Sequence, residues 1–166
     1  MAILVELFNL RLVTLLIVSA SHLIMDFFEL NTPLQLFRKM EADLAALGES
    51  GQDARVAFNF FVSAEHLPDW LKQRQEVRKH ALLRVVSHLA NGAKHFTLDS
   101  KRHTAVMATS KDRYVKEGYW ESGYVKEPLL VHLAPEEANE LGVTVIDAVT
   151  LGQKVLEFWR PYVPGA

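Results

Sequence analysis

Apolar residues recur every three to four positions between Leu34 and Leu47, a spacing that predicts an amphipathic helix. Leu34, Leu36, Phe37, Met40, Leu44 and Leu47 make its stripe. Asn31-Thr32-Pro33 sets the start: a capping residue, then a proline where a missing N–H does no harm. The loop "GESGQD" follows, and Asp53 is placed to cap a second helix from Ala54 to about Leu67. That helix is apolar on most sides, with Val56, Phe58, Phe60, Phe61 and Val62, which predicts a central position. Pro68 ends or kinks it. "PDWLKQRQEVRKHALLRVVSHLANGAKHF" then reads as one long helix starting near Pro68.

Past Phe96 the pattern changes. "HTAVMAT" and "EPLLVHL" alternate as strands do, with Leu129, Val131 and Leu133 on one face. Between them "YVKEG" at Tyr114 and "YVKEP" at Tyr124 repeat at a period too short for a stacked array, so a hairpin with two similar arms or an exposed aromatic loop is expected. "APEEANELG" gives a turn of helix closed by Gly142, and "VTVI" a third short strand. Asp147 caps a last helix running to about Trp159 and stopped by Pro161. The expected class is mainly α (α+β): a helical bundle with a small antiparallel hairpin or sheet before the C-terminal helix. The expected organisation is a single domain over residues 1–166, with residues 1–24 as an apolar N-terminal extension.

Polar residues in the stretch "RVVSHLANGAKHF" form one row. At about 100° per residue, His80, Arg84, His88, Asn91 and His95 fall within an arc of roughly 80°. Leu82, Val85, Val86, Leu89, Ala93 and Phe96 take the other side. A wet helix face usually carries Glu, Lys and Gln. This row has short or stiff side chains suited to specific hydrogen bonds. The preceding helix carries a narrow row of its own, Arg55, Asn59, Ser63 and His66. Polar groups on an otherwise apolar helix must find partners inside the protein or line a cavity. If the two helices pack antiparallel, Asn59, Ser63, His66 and Asp69 face Arg84, His88, Asn91 and His95, with Lys94 beside them. The set reads either as a structural network or as a site. Read as a site, His66, Arg84, His88 and His95 are the candidates for chemistry. Asn59, Ser63, Asp69, Asn91 and Lys94 are the candidates for ligand binding.

"AEHLPDWL" followed by "LANGAKHF" resembles a paired signature of small bacterial helical proteins without an assigned activity. The likeness covers about thirty residues, His66 to His95. It implies an α-bundle, a following hairpin and a closing helix with Phe158-Trp159, and it supplies no activity. A more distant likeness is to the HEPN ribonuclease and nucleotidyl-binding bundles. Their motif is an arginine and a histidine with four to six residues between them. Arg84 and His88 have three.

Charge adds one asymmetry. Residues 72–116 hold eleven Lys/Arg against three acids, a net of +8, which leaves −10 for the rest of a chain whose total is −2. A basic block can be the footprint of an anionic partner, nucleic acid above all. It can equally fold against the chain's own acids, such as Glu136, Glu137 and Glu140. Cysteine is absent, which excludes disulfides, thiolate nucleophiles and cysteine metal sites and suits a reducing, cytoplasmic setting. The run Leu12–Met25 is short for a membrane span and is interrupted by Ser19, Ser21 and His22. No membrane role is expected; the run should pack on the domain or on a second copy, in a homo-oligomer.

The glycines are scattered and form no phosphate loop. His88 and His95 stand seven apart and could share a metal only with ligands from elsewhere, such as His66 and Asp69. No metal or cofactor is assigned. Ser63, His66 and Asp69 lie on one segment, too local for a triad. The expected function is a non-catalytic binding or interaction protein using a polar cleft or a basic face. The alternative is a HEPN-like metal-independent ribonuclease or nucleic-acid-binding protein.

Overall fold

The computed structural model describes residues 30–50, 53–95, 104–111 and 128–166. The chain divides into Met1–Asn31 and Thr32–Ala166, and the architecture below is that of the second unit. The apolar run Leu12–Met25 and the "YVKEG"/"YVKEP" pair lie outside the described residues, apart from Pro128.

Six α-helices and three strands make up the described unit, in the mainly α class with a small sheet that the periodicities predict. Helix α1 spans Pro33–Ser50 and buries Leu36, Phe37, Met40, Leu44 and Leu47, the stripe that the sequence marks. Thr32 starts it: its hydroxyl accepts from Gln35 N–H at 3.2 Å and its carbonyl accepts from Leu36 N–H at 3.1 Å. Helix α2, Ala54–Trp70, is capped by Asp53, whose carboxylate accepts from Arg55 N–H at 2.9 Å. It buries Ala57, Phe60, Phe61, Ala64 and Leu67 against α1 and the helices that follow.

The long helix expected from Pro68 onward is broken in two places. Helix α2 runs through Pro68 to Trp70 and then turns, with Gln73 N–H on the Pro68 carbonyl at 2.7 Å. Lys72 takes the left-handed conformation there, φ 58°, which reverses the chain without a glycine. One turn of helix, α3 (Glu76–Lys79), follows. His80 is extended, φ −120° and ψ 125°, so it precedes α4 (Ala81–His95) rather than sharing its polar row. Its carbonyl accepts from Leu83 and Arg84 N–H at 3.0 Å, and its ring meets Phe158 edge-on with centroids 4.9 Å apart. Hydrophobic periodicity is blind to such a break, because the apolar stripe resumes almost in phase beyond it.

Strands β1 (Val106–Lys111), β2 (Leu129–Leu133) and β3 (Val145–Asp147) form an antiparallel sheet in that order. Lys111 pairs with Leu129 and Thr109 with Val131, and a bulge lies between Val106 and Ala108. Helix α5 (Pro135–Leu141) bridges β2 and β3 and ends at Gly142, φ 71°. Helix α6 (Ala148–Trp159) is capped by Asp147, which accepts from Thr150 N–H at 2.9 Å, and passes into a short 3-10 turn at Arg160–Tyr162. Among the described residues no helix is long and apolar enough to cross a membrane.

The core gathers where α6 meets α1 and α2, around the fully buried Trp159, Phe37, Phe60 and Met40. Gly152 permits the close approach: a Cβ there would lie 2.5 Å from Leu44 Cδ1 and 3.2 Å from the Phe60 ring. Leu44 can swing aside, but Phe60 is fully buried. Gly152→Leu is therefore expected to lower stability by about 1–3 kcal/mol through overpacking, read as a lower midpoint in urea. The enlarged side chain should be rescued in part by Leu44→Ala.

Candidate functional site

The polar row of α4 does not converge on one point, and each member has its own neighbour. Arg84 turns to α5. Its Nε donates to Glu137 at 2.8 Å and its Nη2 to Glu140 at 2.5 Å and to Glu136 at 3.3 Å. Glu137 is only 4% exposed, so the pair is largely desolvated. Burial pulls the Arg84 pKa down, yet its hydrogen bonds to Glu137 and Glu140 outweigh this and raise it. Arg84 is thus committed to three carboxylates and joins α4 to α5.

A second cluster centres on a residue that the sequence reading did not single out. Glu65, 4% exposed on α2, accepts from Arg74 at 2.5 Å and from the Ser87 hydroxyl of α4 at 3.1 Å. Arg74 also donates to the Glu65 carbonyl at 2.9 Å and stands 3.6 Å from Asp69. Asn91 donates to the Ser87 carbonyl at 2.7 Å. Asp69 and Asn91 therefore belong to one network, linked through Arg74, Glu65 and Ser87. The available signal was an acid inside the apolar helix "FNFFVSAEHL".

Ser63 and His66 part company. Ser63 accepts from Lys39 of α1 at 2.9 Å and donates to the Asn59 carbonyl at 2.8 Å. His66 meets Lys94 of α4 at 3.0 Å. The ammonium can only donate, so His66 Nε2 accepts and the ring proton sits on Nδ1. The two residues are about 60° apart around α2, enough for one to face α1 and the other α4. His66 thus meets Lys94 rather than Arg84, His88, Asn91 or His95, and Ser63 turns to α1. His95 is exposed at the end of α4. The set His66, Asp69, His88 and His95 is not gathered: among the described residues no three His, Asp or Glu side chains could hold one metal ion.

His88 lies elsewhere again. Its Nδ1 accepts from the backbone N–H of Val106 at 3.1 Å, which ties α4 to β1 and places the proton of the neutral ring on Nε2. Its ring stands in the wall of a cavity of about 540 Å³ between α2, α4 and the sheet. Helix α2 contributes Ala54, Ala57, Phe58 and Phe61, an i, i+3, i+4, i+7 stripe. Helix α4 contributes Leu89, Gly92 and Ala93, and the sheet contributes β1 with Leu129 and Val131. This apolar trough was missed because α2 carries more apolar surface than the core absorbs, and periodicity alone assigns all of it to the core. Phe58 remains 42% exposed and Met107 71% exposed. Apolar side chains so placed along a cavity are a common mark of a contact surface.

Of the basic segment, Lys101, Arg102, Arg113 and Lys116 lie outside the described residues. Among those described, Arg74, Lys79 and Arg84 are spent on Glu65, Glu76 and the Glu136/Glu137/Glu140 group. The block folds at least partly against the chain's own acids.

Three outcomes follow from these clusters. Arg84→Ala should destabilise the fold by about 1–3 kcal/mol, because it strands the buried Glu137 carboxylate, and Glu137→Gln in the same chain should recover part of the loss. The hydrogen bond from Arg84 holds the Glu140 carboxyl below its ordinary value. A depressed folded-state pKa adds stability that is present above the unfolded value, about 4.3 for Glu, and is lost as pH falls through the folded one. Urea midpoints of the parent and Glu140→Gln should differ by a constant amount above about pH 5 and converge below it. Asn91→Ala should cost under about 1 kcal/mol, since the Ser87 carbonyl keeps its place in the helix ladder; thermal melting reads this directly. No protein-family model, curated protein or solved structure matches the chain, and its functional reading rests on the geometry above.

Proposed function

We propose that the protein is a non-catalytic binding protein whose binding element is the apolar trough between α2, α4 and the sheet. The observation that carries this reading is a cavity of about 540 Å³ walled by exposed apolar side chains, Phe58 and Met107 among them. Small-molecule sites commonly measure about 300–1,000 Å³ and pair an apolar wall with a few polar groups. Here the polar side chains are His88, Thr109 and Lys111. The polar cleft expected from the sequence moves to a secondary place, since its members hold the helices together. On sequence grounds we place the protein in the cytoplasm as a homo-oligomer.

The ribonuclease alternative asks for two histidines at a common open point, with basic groups beside a phosphate-sized space. His88 lines the trough, whereas His66 is held by Lys94 and Arg84 by three acids. That arrangement weighs against proton shuttling between them.

The test uses a neutral, apolar fluorophore, N-phenylnaphthylamine. Its emission should rise on titration with the parent protein. Thr109→Trp should abolish the rise, because Thr109 pairs with Val131 and so shares its side of the sheet, facing the trough. Thr109 is exposed and tryptophan suits a strand, so the fold should survive the change. An equal rise for both proteins would place the probe outside the trough and overturn the reading.

A further inference from the structure

The trough has a charge pattern that narrows what it can hold. Cross-strand partners share a sheet face, so Lys111 lies on the side of Leu129, and Thr109 on that of Val131. Val131 is buried toward the helices, which puts the Lys111 stem on the trough side at the end of β1. Among the described residues the trough wall contains no carboxylate. Among the described residues Lys111 has no acidic partner, unlike Arg74, Lys79 and Arg84. An apolar wall of Phe58, Phe61, Leu89 and Leu129 thus ends at an ammonium that no carboxylate of the described residues neutralises.

Resting on the proposed binding function, we infer that the ligand is a small amphipathic monoanion. Its hydrocarbon or aromatic body lies between α2, α4 and β1, and its carboxylate or equivalent head meets Lys111. The chemistry sets the orientation. Burying an anionic head among Phe58, Phe61 and Leu89 would desolvate it without a partner. At the Lys111 end the head keeps water and gains a charge-assisted hydrogen bond. The apolar body removes exposed Met107 and Phe58 surface from water, which supplies most of the affinity. A neutral apolar ligand forgoes the ion pair, and a cation would meet Lys111 as a like charge.

The probes are decanoate, decanol and decylamine, each titrated calorimetrically into the full chain at neutral pH and low salt. They also compete against N-phenylnaphthylamine. Decanoate should bind more tightly than decanol by roughly three- to tenfold, the range for a partly exposed ion pair, and decylamine more weakly than either. Lys111→Met keeps the apolar stem and should remove the preference for the acid while leaving decanol unchanged. Added salt should narrow the gap in the parent and leave the variant untouched. If fluorophore and decanol bind but decanoate shows no advantage, or if Lys111→Met changes nothing, the anion inference is overturned and the trough stands. If none of the probes binds the parent, trough and inference fall together. If Thr109→Trp instead halves the mass seen by light scattering, a second copy of the chain occupies the trough and the small-molecule reading is overturned.

Discussion

A buried carboxylate cannot remain inside a protein without partners, and Glu65 organises the helices around that requirement. At 4% exposure it needs charge and hydrogen bonds at once. Arg74 supplies the charge, and it can reach Glu65 only because the chain turns back after Trp70 instead of continuing as a helix. Ser87 supplies a hydrogen bond from α4, which sets that helix against α2 at one height. The left-handed Lys72, the single turn at Glu76–Lys79 and the extended His80 lie on the path between these fixed points. A turn that periodicity reads as continuous helix is thus the route by which the chain delivers partners to one acid.

The trough follows from the same packing. With α4 held to α2 through Glu65 and Ser87, and to β1 through His88 and Val106, the three elements stand around a space that their side chains do not fill. Small residues on the facing surfaces, Ala54, Ala57, Gly92 and Ala93, leave that space open. Larger residues there would let the core close and would bury Phe58. The molecule instead keeps a second apolar stripe on α2, one turn away from the stripe that packs on α1 and α6. A fold optimised only for stability would gain from filling it.

Much of the fold was legible because its elements carry local signals. The cap at Asp53, the stripe Leu36–Leu47, the strand alternation of "LLVHL" and the Gly142 stop each depend on neighbours in sequence. The break after Trp70 was not legible, since Pro68 tolerates helix on both sides and the decisive contact joins Arg74 to a buried Glu65. The site was less legible still. A row of His, Arg and Asn on a helical wheel records direction about one axis, whereas function depends on what each neighbour offers. Arg84 met three acids of α5, His88 a strand backbone and His66 a lysine. The trough depends on distances between elements far apart in sequence, for which a single chain's pattern holds no direct record.

Charge shows the same lesson from the other side. The +8 segment leaves two readings open, an anionic polymer as partner or pairing with the chain's own acids, and the first needs several free cations acting together. Among the described residues, Arg74, Lys79 and Arg84 are already neutralised by carboxylates of the same chain. Local excess on a sequence is therefore partly offset in the fold: α5 brings Glu136, Glu137 and Glu140 across some fifty positions to Arg84. What remains at the trough, among the described residues, is one ammonium on a strand, beside apolar surface. A single cation with an apolar neighbour discriminates by matching one charge and one hydrocarbon body. It does so with little of the steep salt dependence that a polyanion would impose. The arrangement of Lys111 with Phe58, Leu89 and Leu129 thus fits recognition of a small amphiphile better than of a nucleic-acid backbone.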